Sequence, residues 1–174
     1  MPGRELNSLY VEATMKTTNV LIATLLAVGA GMSAGTAIAA NGIVASATGS
    51  GQTTIGTNLR TFSFTAGTDG NNNSRGQAEL FNRDSGTRLH MAVDCLSVAG
   101  NVATMSGTVT QDNVAGAYVG DPVWFQVVDN GEGAGAPPDL ISLVFIFLGP
   151  PGVPCTSPLE PASIPVEGGN IQVH

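Results

Sequence analysis

Beyond residue 40 this chain has no lysine and only four arginines, Arg60, Arg75, Arg83 and Arg88. Eleven acidic residues oppose them there, so that part carries 4 − 11 = −7. Nucleic-acid binding draws most of its affinity from Lys and Arg set against phosphates. The balance therefore argues against a nucleic-acid partner, and equally against an anionic membrane surface. Aromatic residues make up only 5% of the chain, with one Trp, two Tyr and six Phe. Sugar sites usually want aromatic platforms, and most of these rings fall at core-phase positions. Histidine is equally scarce: His90 and the final residue His174 are the two present. There is no G-x-S-x-G, no H-E-x-x-H and no phosphate-cradling glycine loop. Beyond the leader no window holds a period of 3.6, which leaves no candidate helix.

What the N-terminus contains is equally informative. From Met15 the sequence reads MKTTNVLIATLLAVGAGMSAGTAIAANG, with one Lys, an apolar run from Val20 to Val28 and a small-residue exit at Ala37-Ile38-Ala39. A short basic start, a short apolar core and a small-x-small exit describe a secretory signal peptide, expected as a helix and cleaved after Ala39. The run falls short of the about 20 apolar residues that cross a bilayer, so no stable membrane insertion is expected after cleavage. The preceding MPGRELNSLYVEAT fits an upstream extension, with Met15 as the true start. Residues 1–39 are thus leader, and 40–174 form a single β-rich domain with enough length for a real core. The expected localisation is secreted, extracellular or periplasmic.

Only two cysteines are present, Cys95 and Cys155. In an exported chain they are expected to form a disulfide. Closing that loop would contribute roughly 4 kcal/mol in the chain-entropy model. The rival readings are two buried thiols or a metal pair, although two cysteines alone make a poor zinc site.

The remainder alternates with period two between turn residues. NLRTFSFTA sets Phe62, Phe64 and Ala66 on one face. GQAELFNRD follows, and TRLHMAVDCLSV points Leu89, Met91, Val93 and Cys95 one way. A tight turn at Ala99-Gly100-Asn101 leads into VATMSGTVT, which is a hairpin signal. PVWFQVVD sets Val123, Phe125 and Val127 against Trp124, Gln126 and Val128. The more uniformly apolar DLISLVFIF reads as a central strand covered on both faces. IPVEGGNIQVH gives a last strand with Ile171 and Val173 inward. About seven or eight such strands describe an all-β fold, an antiparallel β-sandwich or partly closed barrel.

In order along the chain stand GSGQ, RGQAELFNRDSGTRLHMAV, VAGNVATMSGTVT, FQVVDNGEG…PDLISL and the terminal GGNIQVH. This series resembles an accessory domain of secreted bacterial proteins, the kind labelled post-COAP, over nearly all of residues 40–174. VVDNGEG and GGNIQVH are its most specific parts. The resemblance implies an extracellular β-rich module and brings no catalytic residue with it.

For chemistry the best candidate is the acidic connection DNGEGAGAPPD. Asp129, Asn130, Glu132 and Asp139 could offer oxygens to calcium, which takes six to eight of them. The spacing is not the alternate-Asp pattern of an EF-hand loop. Asp-Asn-Gly is also ordinary turn chemistry, so a hairpin tip is the competing reading. His90 and Asp94 share a strand face but lie about 13 Å apart at roughly 3.3 Å per residue, too far for a catalytic pair. The sequence therefore points to a non-catalytic module, not an enzyme and without a cofactor unless calcium binds. Its partner would be an extracellular glycan or protein surface. The alternative is a small secreted hydrolase using Glu132, Asp139 or Asp94.

Overall fold

The computed structural model describes residues 42–174. The upstream extension, the Met15 start and the signal-peptide helix lie outside the described residues. The described chain is all β, in chain order β1 (Ile43–Ile55), β2 (Asn58–Asp69), β3 (Ser74–Asn82), β4 (Arg88–Ala99) and β5 (Val102–Asp112). Then come β6 (Pro122–Val128), β7 (Leu140–Ile141), β8 (Phe145–Ile146), β9 (Ile164–Pro165) and β10 (Gly168–Val173). They form one antiparallel sheet in the order β10-β1-β2-β3-β4-β5-β6-β7-β9, with β8 pairing separately on β6. The sheet curls into a half-barrel around one core, and among the described residues no helix is long and apolar enough to cross a membrane.

The alternation seen in the sequence lines that core. Phe62, Phe64, Met91, Val93, Met105, Phe125 and Ile171 are buried together on the concave side. The first strand escapes the pattern. Its inward positions are Ala47, Gly49, Gly51 and Thr53, with nothing larger than threonine. Gly49 pairs with Phe64 and Gly51 with Phe62, and the two rings fill the space. A Cβ on Gly49 would stand 2.7 Å from the Phe64 ring. Large rings opposite glycines are a recurrent way to curve a sheet without leaving a void.

Two expectations are corrected. DLISLVFIF is not a central strand: β6 takes β7 along Val127–Val128 and β8 along Val123–Trp124, with a break between them. At the break the Ser142 N–H still donates to the Gln126 carbonyl, but the Gln126 N–H donates to the Ser142 hydroxyl, which itself donates to the Leu143 carbonyl, so a side chain takes one of the two ladder bonds and the backbone turns away. Cys95 does not share the face of Leu89, Met91 and Val93. A bulge between Val93 and Cys95 shifts the phase, so Leu96 enters the core and Cys95 turns outward.

That outward turn serves the disulfide. Cys155 bonds to Cys95 at a Cα–Cα distance of 5.7 Å, across 60 residues. Residues 147–163 form a strap anchored by this bond, by the Phe147 N–H donating to the Pro122 carbonyl, by the Gly149 N–H donating to Asp121, by the close approach of Gly152 to Pro122, and by the Ala162 N–H donating to the Gln126 amide oxygen. Trp124, on the outer face of β6, is completely buried and packs edge-on against Phe145. The strap side of β5 and β6 is thus a second, smaller buried layer, with Thr104 and Ser106 in it.

Candidate functional site

The acidic connection is the tip of the β6–β7 hairpin, since Val128 pairs with Leu140 and Val127 with Ile141. Its four candidate ligands go to separate tasks. One Asp129 oxygen accepts from the Gly131 N–H at 2.8 Å and the other from the Val173 N–H at 3.0 Å. Asp139, only 7% exposed, accepts from the Asn130 N–H at 2.9 Å and the Ile171 N–H at 2.8 Å. The Asn130 amide donates to the Pro138 carbonyl, and Glu132 accepts from the Asn170 amide, each at 2.7 Å. All four carboxylate oxygens of the two aspartates thus face backbone donors. Among the described residues no group of three or more His, Cys, Asp or Glu is placed to hold a metal ion.

The partner strand explains the arrangement. Ser46 and His174 exchange both backbone hydrogen bonds, so in the antiparallel register β10 turns alternate groups toward β1. The N–H groups of Ile171 and Val173 point the other way, where no strand lies, and Asp139 and Asp129 satisfy them. The hairpin tip therefore stands in for a missing strand. Val166 N–H donates to the Asp139 carbonyl and Glu167 N–H to the Gln52 carbonyl, which ties the stretch around β9 to both ends of the sheet. VVDNGEG and GGNIQVH, far apart in sequence, are in direct contact.

Three further acids are similarly engaged. Burial pushes the Asp112 carboxyl up, but the N–H groups of Tyr118, Val114, Gly116 and Val119 outweigh it and hold it below the usual carboxylate value. Asp69 is held below that value by the Asn73 N–H and amide, with help from the Asn71 N–H. Such bonding to the charged form is what lowers a carboxyl pKa. Asp121 accepts from the Gly149 N–H. Asp94 is exposed at the β4 bulge.

His90 does not meet Asp94. Its Nδ1 lies 3.4 Å from Glu79, which also holds Arg88 at 3.3 Å. Glu79 sits directly opposite His90 across β3 and β4. This pair lies in a shallow depression of about 680 Å³ on the outer face of β2–β5, lined also by Ser63, Gln77, Ala92 and Gln111. Sequence reading missed this face. Alternate polar positions on each strand were its only signal, and the register that assembles them is a property of the fold.

No family model, curated protein or solved structure matches this chain.

Proposed function

We propose that this chain is an exported, non-catalytic β-module that acts outside the cell or in its envelope by binding a surface there. The observation that carries the reading is the employment of its carboxylates. A general acid or base must offer an oxygen to the substrate within hydrogen-bond reach. Asp129 and Asp139 instead hold backbone N–H groups with every oxygen they have. Paired-carboxylate hydrolysis also needs two carboxyls facing each other across a sugar, whereas Glu132 is exposed and turned to Asn170.

Supporting features agree. A bonded cysteine pair suits an oxidising compartment, and it clamps a strap that stiffens one side of the fold. We read the half-barrel as a barrel closed along part of its length, with the hairpin-tip aspartates finishing the seam. The likeness of VVDNGEG and GGNIQVH to an accessory domain of secreted bacterial proteins points to the same role.

The purified protein, mixed with isolated bacterial cell walls, is expected to sediment with them and to release no soluble sugar or peptide. Release of product that Asp139→Asn or Glu132→Gln abolishes would overturn the reading in favour of a hydrolase.

A further inference from the structure

The outer face of β2–β5 has a construction of its own, and the inference drawn from it rests on the binding-module reading. Register aligns the outward side chains in two rows that run across the strands. One row reads Thr48, Thr65, Gln77, Ala92 and Thr108 from β1 to β5. The second reads Ser50, Ser63, Glu79, His90 and Gln111. Nearly every step, about 4.8 Å from strand to strand, presents one hydroxyl, amide or charged group. The exception is Ala92, whose short exposed side chain leaves a dip between Gln77 and Thr108. At the rim a bulge between His90 and Met91 places an extra residue, Thr110, on β5, so that Thr110 and Gln111 are both exposed. Bulges of this kind commonly re-aim side chains at binding sites.

The depression of about 680 Å³ is shallow and open along the face. A second one of about 490 Å³ adjoins it at Thr65 and extends over Thr48 and Arg75. Together they make a shallow track crossing β1 to β5, long in one direction.

Its electrostatics narrow the occupant. Within the face Glu79 pairs with the Arg88 guanidinium, and its other oxygen meets the His90 imidazole. The chain as a whole carries −7 and repels polyanions. Phe81, the ring neighbouring this face, is already covered by the Arg88 guanidinium at 4.9 Å from its centroid. Arg75 and Arg88 stand against Asp69 and Glu79 along the track, so it carries no net cationic field for phosphates, and its exposed apolar surface is confined to the Ile43 end, too little to seat a lipid. What it offers is donors and acceptors at a regular interval.

We propose that this track binds an uncharged polysaccharide laid across the strands. A pyranose repeat is close to the inter-strand spacing, so successive sugars meet successive row members. The Gln77 and Gln111 amides each donate and accept, as vicinal hydroxyls require. Glu79 takes a sugar hydroxyl proton donor in a charge-assisted bond. Single hydrogen bonds contribute little net free energy, so affinity accumulates along the polymer, and long chains bind where disaccharides do not.

The test is electrophoresis of the purified protein through gels containing hydroxyethyl cellulose, a soluble β-1,3-glucan or a mannan, with pull-down on insoluble cellulose and chitin. Retention by one or more of these polymers is expected. Gln77→Ala with Gln111→Ala should weaken it at least about tenfold, the loss expected from two or so hydrogen bonds. Ala92→Arg, which fills the dip, should do the same. Glu160→Gln, on the strap, should be retained like the parent. All these positions are exposed, and matching melting curves will show that each variant folds. No retention on any neutral polymer, stronger retention on alginate or heparin, or equal retention by both track variants would overturn the proposal. Cell-wall sedimentation that survives the track variants removes this site and leaves the binding-module reading standing. Release of soluble sugar removes that reading itself.

Discussion

Asp139 shows how one side chain decides the local fold. It is buried and its two oxygens receive the N–H groups of Asn130 and Ile171. Asp139→Ala would orphan both donors, at about 1–3 kcal/mol for each. Urea denaturation is expected to show a loss of about 2–6 kcal/mol with little change in slope. The same geometry bears on cations. A calcium ion would have to take oxygens from backbone donors that already hold them. Calcium and a chelator should therefore give the same melting temperature. A bound ion at a hundredfold excess over its Kd would instead add about 2.7 kcal/mol, and a rise of that size, abolished by Asp129→Asn, would restore the metal reading.

Among the elements, the loop at residues 113–120 is organised by the Asp112 carboxylate, which accepts from Val114, Gly116 and Tyr118. Its folded pKa lies below the ordinary value of 3.8. A depressed carboxyl stabilises the fold above that ordinary value, and the contribution fades as pH falls through the folded pKa. Melting temperature is therefore expected to drop below about pH 4, and Asp112→Asn should flatten that dependence. The group is partly exposed, so solvent screening keeps the effect modest. Strand curvature offers a second check. A Cβ on Gly107 would collide with the Ala92 carbonyl of β4, so Gly107→Ala should cost about 3 kcal/mol by overpacking. Period two made β2, β4, β5 and β6 legible, because large apolar residues recur at their inward positions, whereas β3 turns Gly76 and Ala78 inward and carries little such signal. It failed for β1, whose inward positions hold glycine and alanine while the bulk sits on β2. It failed again at Ser142, where a hydroxyl intrudes into the ladder. The acidic loop was legible as a cluster, but its recipients lie on β10, and only topology brings Ile171 and Val173 to it. Glu79 and His90 were hidden for the same reason, since their pairing is one of register between strands.

For the whole molecule the disulfide sets the balance between fold and unfolded chain. A loop of 60 residues corresponds to roughly 4 kcal/mol of lost unfolded-state entropy. Replacing Cys95 and Cys155 by Ser should lower the unfolding free energy by about that amount. It should also free the strap, and a red shift of Trp124 emission under native conditions would report its release. Unshifted emission would mean that the other anchors of the strap suffice. Between molecules, the seam at β10 matters more. A strand edge with unpaired N–H groups is a template for any extended chain, including another copy of itself. Here that edge meets two carboxylates, which accept but cannot donate and which repel an acidic neighbour. Amides in their place could do both, and would continue the ladder outward. The double variant Asp129→Asn, Asp139→Asn is therefore expected to form fibres that bind thioflavin at concentrations where the parent stays clear. The two aspartates that read as a metal site would then be the residues that keep a population of these molecules from polymerising.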